Sequence, residues 1–209
     1  DTIIGVSAGA LVGSNYISEQ IGRAANININ YCKDSRYIGI GAIKRNKGLV
    51  GFDYLFDEIC MWKVPFNYEK YYTSEKRFVI GATNCSTGET EFFEKNDEEL
   101  EQILQASSSM PIFSSIVKIN GKEYLDGAID CNIPIEWAMK EGYEKIIVVL
   151  TRPKDYIKPQ EKNYMKKIYQ RKYKEYPKLI EKICTRADRY NKLYQEIEQM
   201  EKEGKILVF

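Results

Sequence analysis

The sequence of 209 residues contains no histidine. A Ser-His-Asp triad and a histidine-ligated metal site are therefore both excluded within this chain. Histidine is the side chain that enzymes use most often as a general base. If a serine acts as a nucleophile here, its base must be a carboxylate, a lysine or a cysteine.

Long apolar runs are also missing, since no stretch approaches the roughly 18 residues that a transmembrane helix needs. Cysteine is sparse, odd in number and without paired metal-ligand spacing, at Cys32, Cys60, Cys85, Cys131 and Cys184. This usage predicts reduced thiols in a cytoplasmic protein rather than a disulfide framework. The formal net charge of +1 indicates no class of partner.

A Gly-x-Ser-x-Gly motif occupies residues 5–9. The β-branched run before it predicts a buried strand, and the small residues after Ser7 are compatible with a helix to about Glu19. Strand, turn and helix in this order are the context of a nucleophile elbow, which exposes the serine hydroxyl at a helix N-terminus. The motif therefore predicts Ser7 as a nucleophile.

The residues beside Ser7 have predicted roles of their own. We expect glycine at Gly5 and Gly9 because strand and helix backbones approach closely there, so that a Cβ at either position would clash. The backbone N–H of Ala8 is expected to donate to the oxyanion that forms when the serine attacks a carbonyl.

Asp126 is the predicted base. It follows a hairpin built around the Asn120-Gly121 turn, and Gly127 lets the backbone turn sharply after it. Apolar neighbours predict partial burial, which would raise the pKa of Asp126 and make it a better base. The alternative is that Asp-Gly is only a turn signal. Asp130 is the nearest rival carboxylate.

The order of the remaining segments indicates an α/β domain, because strands alternate with helices. Buried strands are predicted over residues 77–83 and 145–150, and helices from Asp97 through Ala106 and from Pro134 to Glu141. Residues 52–62 suggest a short helix, whereas residues 22–48 read as irregular structure with short elements.

The C-terminal part has a different composition. Residues 154–192 hold 13 Lys and Arg against 5 Asp and Glu, a net charge of +8 against −7 for the rest. Apolar residues repeat every three or four positions over residues 179–200, which predicts an amphipathic helix. The basic segment could contact an anionic membrane surface peripherally, or it could be an ordinary solvated helical face. No nucleic-acid-binding motif accompanies the charge, so we expect no nucleic acid partner.

Three blocks resemble the patatin-like phospholipases: Gly5-Val6-Ser7-Ala8-Gly9-Ala10, Ala106-Ser107-Ser108-Ser109-Met110-Pro111 and Leu125-Asp126-Gly127-Ala128. Their order and spacing agree with the family over residues 1–150, and the basic helical end is similar to that of short bacterial members. The resemblance implies a three-layer α/β/α sandwich with a mostly parallel central sheet. It also implies a Ser–Asp dyad without histidine, with Ser7 as nucleophile and Asp126 as base, and neither a metal nor an organic cofactor.

The sequence departs from the family at two points. Ala128 stands where many members have a second glycine, and the glycine-rich oxyanion loop that normally precedes the serine is absent. We therefore expect a single domain over residues 1–209 that is truncated at its N-terminus. Residues 1–150 would be its catalytic core, and residues 151–209 its basic helical part.

The expected function is hydrolysis of the carboxylic ester bonds of phospholipids or lysophospholipids. One alternative is an esterase or thioesterase that acts on soluble acyl substrates. Another is a non-catalytic domain that binds a membrane or a protein partner and keeps the elbow for packing.

Overall fold

The computed structural model of the protein describes residues 1–96 and 99–209, without the side chain of Asn46. The helices, in chain order, are α1 (Ala8–Ile17), α2 (Arg23–Tyr31), α3 (Ile40–Asn46), α4 (Tyr68–Thr73), α5 (Leu100–Ser108), α6 (Ile135–Lys140), α7 (Asn163–Lys172) and α8 (Pro177–Lys202). A π-helix, Tyr54–Lys63, lies between α3 and α4, and a 3₁₀ turn, Gly127–Ile129, precedes α6.

The central sheet has five strands: β1 (Thr2–Val6), β2 (Arg77–Asn84), β3 (Thr90–Glu94), β4 (Val117–Ile119) and β5 (Lys122–Asp126). Strand β1 runs parallel to β2, whereas β3 and β5 both pair with β2 in antiparallel register. Strand β4 pairs antiparallel with β5. The sheet is thus mixed, with a parallel pair where the chain enters the Gly-x-Ser-x-Gly motif.

Helices cover both faces of this sheet. On one face, Phe78, Ile80 and Ala82 of β2 pack in a buried cluster with residues of α1 and α5. On the other face, Leu125 at the end of β5 belongs to a second cluster with residues of α7 and α8. Because strand side chains alternate between faces, β2 buries seven of its eight residues. The α/β class and the three-layer arrangement are confirmed.

Signals that act over a few residues predicted local structure well. The hairpin β4–β5 turns at Asn120 and Gly121, whose φ values of 49° and 76° are those that a two-residue turn of this kind requires. Helix α8 buries the predicted apolar stripe along its length. Asp97, where the next helix was predicted to begin, lies outside the described part of the chain. Helix α5 begins at Leu100 and continues to Ser108.

The short elements expected within residues 22–48 are the helices α2 and α3, and the short helix expected over residues 52–62 is a π-helix over residues 54–63. The prediction of a buried strand over residues 145–150 was wrong. The apolar run at 145–150 forms only β6 (Ile147–Val148), which pairs with β7 (Leu207–Val208) and not with the central sheet. With partners on one side only, Ile147 and Val149 stay exposed at 61% and 74%.

All five cysteines are free thiols. None of the helices in the described ranges combines the length and apolarity that crossing a lipid bilayer demands.

Candidate active site

Ser7 joins the parallel strand β1 to helix α1 in a conformation that L-residues rarely adopt. Its φ is 54° and its ψ is −124°. Such backbone conformations typically cost about 1–3 kcal/mol and persist only where the surrounding structure holds them. The turn is the elbow that the sequence predicted, and it puts the serine directly before the first turn of α1.

The structure brings Ser7 and Asp126 together across 119 residues of sequence. The Ser7 hydroxyl donates a hydrogen bond to Asp126 Oδ2 over 2.8 Å. The other carboxylate oxygen, Oδ1, accepts the backbone N–H of Ala128 over 2.8 Å. Because each oxygen has its own donor, the carboxylate is fixed with Oδ2 aimed at the serine.

The backbone around Asp126 is anchored to two neighbouring segments. Its N–H donates to the carbonyl oxygen of Ser109 over 2.8 Å, and its carbonyl oxygen accepts the hydroxyl of Thr83 over 2.9 Å. The first bond comes from the end of α5 and the second from β2. The carboxylate is therefore positioned by the sheet and by a helix at once.

Ser107 is the residue whose role sequence reasoning missed. Its Oγ accepts the backbone N–H of Ser7 over 2.9 Å and donates to the carbonyl oxygen of Gly81 over 2.7 Å. The side chain thus ties the strained serine backbone to β2. The signal was present, because Ser107 stands in the Ala-Ser-Ser-Ser-Met-Pro block, but a serine run does not reveal which hydroxyl reaches the elbow.

The structure shows a close backbone approach at Gly5 and at Gly127 but not at Gly9. A Cβ on Gly5 would lie 2.6 Å from the Cα of Ala10, so strand and helix backbones do meet there. A Cβ on Gly127 would lie 2.2 Å from the carbonyl oxygen of Gly81. At Gly9 the prediction was wrong, because nothing lies within 4 Å of the added Cβ. Gly9 is exposed on the first turn of α1, away from the strand.

Asp130, the rival carboxylate, is occupied elsewhere. Its Oδ1 lies 2.5 Å from Lys182 Nζ, and its Oδ2 accepts the backbone N–H of Thr90 over 2.9 Å. Both oxygens are used in structural contacts, and neither is directed at Ser7. Asp126 is the carboxylate that faces the serine.

The electrostatics of Asp126 suit a base. The residue is only 4% exposed, and burial raises the pKa of its carboxyl group above the ordinary range for aspartate. Hydrogen bonds from Ser7 and Ala128, together with the positive charges of Arg186 and Lys158, lower that pKa in opposition. Burial is the largest influence, so Asp126 holds a proton more readily than an exposed aspartate does.

The N–H of Ala8, the first residue of α1, has no acceptor among the described residues. The first amides of a helix have no partner inside the helix, and the helix dipole favours negative charge beside them. Ala8 directly follows Ser7 and is exposed. The position suits a donor to an oxyanion on the serine.

An apolar cavity of about 180 Å³ opens beside the same residue. It is walled by α1, α2, α5 and the π-helix, and its lining is mainly aliphatic and aromatic, with Ala8, Leu11, Ile27, Leu55, Phe56 and Leu104 among its residues. Cavities of this composition accept hydrophobic ligands and exclude water.

Among residues 1–96 and 99–209, no group of three or more His, Cys, Asp or Glu side chains is arranged to hold a metal ion. The site thus combines a serine hydroxyl, a buried carboxylate and a backbone N–H at the start of a helix.

Two comparisons with known proteins fit this geometry. A sequence model of the family described as "Patatin-like phospholipase" matches residues 1–139. A protein of Escherichia coli (strain K12) named "Uncharacterized protein YjjU" is 27% identical to this chain over 165 residues. That match covers 77% of this chain and 46% of the relative, so the chain spans just under half of the relative's length.

Proposed function

The chain belongs to the patatin-like phospholipase family, and on that premise we propose that it is a serine acyl hydrolase that cleaves the carboxylic ester bonds of phospholipids or lysophospholipids. The hydrogen bond from the Ser7 hydroxyl to the buried Asp126 carboxylate carries the proposal. A serine that is hydrogen-bonded directly to a carboxylate of raised pKa has a base within reach without any histidine.

In the first step, Ser7 Oγ attacks the ester carbonyl carbon while its proton passes to Asp126 Oδ2. The carbonyl oxygen becomes an oxyanion, and the Ala8 N–H donates to it. When the tetrahedral intermediate collapses, the bond to the alcohol oxygen breaks. Asp126 returns its proton to that oxygen, and an acyl group remains on Ser7.

In the second step, a water molecule gives its proton to Asp126 and attacks the acyl carbonyl carbon. The bond between that carbon and Ser7 Oγ then breaks, and Ser7 recovers its proton from Asp126. The products are a carboxylic acid and the resting enzyme. One carboxylate serves both steps because its raised pKa lets it accept and release a proton.

The apolar cavity supports an acyl chain as the substrate's hydrophobic part. It begins at Ala8, the proposed oxyanion donor, and extends along α1 past Leu11 and Val12. A chain lying in it would have its carbonyl end beside Ser7. Burial of each methylene contributes about 0.8 kcal/mol, so the cavity favours longer acyl chains over short ones.

The test is covalent labelling by a fluorophosphonate, read by intact mass, combined with hydrolysis of a medium-chain p-nitrophenyl ester and of a lysophospholipid. We expect labelling and both hydrolyses in the wild type. Ser7→Ala should lose labelling and at least about 10³-fold in kcat/KM. The matched control is Ser86→Ala, because Ser86 is exposed in a turn away from the site.

Each outcome has a defined meaning. Ester hydrolysis that depends on Ser7 but ignores lysophospholipid would replace the lipid substrate by a soluble ester. Lack of both labelling and hydrolysis, or activity that survives Ser7→Ala, would contradict the proposal. Binding of vesicles or a protein partner without any turnover would then favour a non-catalytic domain.

A further inference from the structure

The positive charges of Arg186 and Lys158 act on Asp126, although the proposed chemistry uses neither residue. Arg186 lies on α8 between residues that touch the turn after Asp126. Lys182, one helical turn earlier, pairs with Asp130, and Arg189, one turn later, donates to the carbonyl oxygen of Ile129 over 2.5 Å. Positions 182, 186 and 189 share one helix face, so Arg186 faces the same turn.

Arg186 lacks the partners that its neighbours have. Its Nε is buried and, like that of Arg189, has no hydrogen-bond acceptor in the described part of the chain. Arg189 donates through both of its terminal nitrogens, whereas the Arg186 guanidinium donates to no described residue. No ion pair within 4.0 Å is formed by Arg186 or Lys158 among those residues, whereas Lys182 forms one. Buried polar groups in native proteins nearly always have a partner, and the exceptions call for an explanation.

Lys158 is held in place without being neutralised. Its backbone N–H donates to Asn191 Oδ1 over 2.8 Å, and its carbonyl oxygen accepts the side-chain N–H of the same residue over 3.1 Å. Its Nζ lies 4.9 Å from the centre of the Tyr190 ring. An aromatic ring stabilises a cation but cancels none of its charge. The ammonium is therefore fixed and remains available to an anion.

The charges around this pair are mixed, with positive charge in excess. Burial lowers the pKa of Lys158 to about 8, and the positive charges of Arg186 and Arg152 add to that effect. Glu161 and Asp126 act in the opposite direction. Arg152 rests on the ring of Tyr156, with its guanidinium carbon 5.0 Å from the ring centre. Three fixed cations against two carboxylates favour an additional negative charge at this point.

We propose that Arg186 and Lys158 bind the phosphate of the lipid substrate next to the ester that Ser7 attacks. The inference rests on the proposed function and names the substrate as an ester that carries a phosphodiester group. A guanidinium binds phosphate oxygens through two parallel hydrogen bonds, and an ammonium adds a point charge. In a lysophospholipid, the glycerol backbone alone separates the phosphate from the ester, so the two groups lie only a few bonds apart.

The experiment compares two esters with the same acyl chain, lysophosphatidylglycerol and neutral monoacylglycerol, each below its critical micelle concentration. We expect Arg186→Gln and Lys158→Gln each to lower the ratio of kcat/KM values, charged over neutral, by about tenfold or more. Arg186→Lys should retain part of the ratio because it keeps the charge. The matched control is Lys192→Gln on the same helix, whose side chain is 80% exposed and which should leave the ratio unchanged.

Binding decides the matter independently of turnover. Ser7→Ala protein is titrated with ether-linked lysophosphatidylglycerol, neutral alkylglycerol and glycerol 3-phosphate. We expect the charged ether lipid to bind at least about tenfold more tightly than the neutral one, and Arg186→Gln to remove the difference. Equal binding of glycerol 3-phosphate and the ether lipid would assign the site to a free phosphate and overturn the proposal.

The failures of the two proposals are distinguishable. If the neutral ester is hydrolysed but the charged one gains nothing from Arg186, only the phosphate site fails. If neither ester is hydrolysed, the proposed function fails and the ether-lipid titration still decides the site. If the substitutions matter only on anionic vesicles, the cations form a membrane-docking surface and the phosphate site is wrong.

Discussion

The elbow and the wall of the apolar cavity lie side by side, yet different kinds of contact hold them. At the elbow, backbone segments mostly meet directly, as where a Cβ on Gly127 would reach within 2.2 Å of the Gly81 carbonyl oxygen, and the Ser107 side chain adds one tie. At the wall, a side chain connects segments. The Arg23 guanidinium bonds to the Val64 carbonyl oxygen over 2.7 Å and to Asn15 Oδ1 over 2.9 Å. Ser7 and Asp126 are therefore held mainly by the path of the chain, whereas the cavity wall depends on individual side chains.

The largest expected effect is that of Asp126→Asn, which separates function from stability at the elbow. Asparagine preserves the shape but cannot accept the serine proton, so kcat/KM for a neutral ester should fall by at least about 10³-fold. Thermal unfolding should shift upward by about 2–4 °C, because a buried carboxylate is removed. Steady-state kinetics and calorimetry of the variant and wild type measure both effects.

The size of that stabilisation depends on pH. Burial raises the pKa of Asp126 in the folded state, so the folded protein binds more protons than the unfolded chain as pH rises from about 4. Wild-type stability therefore declines as pH rises through this raised pKa. The advantage of Asp126→Asn should grow over the same range, and a constant or shrinking advantage would contradict the assigned burial effect.

A pair of glycine variants sharpens the backbone side of the comparison. Gly127→Ala forces a Cβ against the Gly81 carbonyl and Val6. We therefore expect the free energy of unfolding to fall by about 3 kcal/mol, or the protein to fail to fold. Gly9→Ala adds a methyl in open space within a helix, and should stabilise by about 0.5–1 kcal/mol. Urea unfolding of both measures the difference, and equal effects would show that close approach is not what Gly127 serves.

Arg23→Met tests the other side of the comparison, the side-chain contacts that hold the cavity wall. The change keeps a long apolar stem but removes every hydrogen bond to the Val64 and Pro65 carbonyls. We therefore expect the free energy of unfolding to fall by about 1–3 kcal/mol. Because the wall moves and the elbow does not, the preference between long-chain and short-chain esters should change. The rate of fluorophosphonate labelling at Ser7 should stay within about threefold. An equally large fall in the labelling rate would contradict this prediction and show that the elbow and the cavity wall respond as one unit.

The smallest effect expected is a displaced pH profile. The proposed mechanism requires Asp126 without its proton, so kcat/KM should rise with pH through a pKa above that of an ordinary aspartate. Arg186→Gln removes a charge that lowers this pKa, so its acid limb should lie at a higher pH. Profiles measured with a neutral ester isolate this effect from phosphate binding, and a limb at the ordinary aspartate pKa would contradict it.

The same division explains what the sequence could predict. Gly5, the Asn120-Gly121 turn and the Asp126-Gly127 pair act on their own neighbours, so short motifs identified the elbow, the hairpin and the two facing side chains. Helices α2 and α3 depend on distant contacts such as Arg23 to Val64, which no local pattern contains. Ser107 lies between these cases, since its block was recognisable but its bond to Ser7 depends on how α5 meets the sheet.

The bond from Ser7 N–H to Ser107 spans 100 residues, and the bond from its hydroxyl to Asp126 spans 119. The first bond forms only when α5 has docked beside the elbow, and the second only when β5 has docked. A serine at φ 54° persists only where such surroundings hold it. On the proposed function, a chain that is only partly assembled carries an ordinary, unreactive alcohol at this position. The fraction of molecules that take up one equivalent of a serine-directed reagent would then count the correctly folded protein in a preparation.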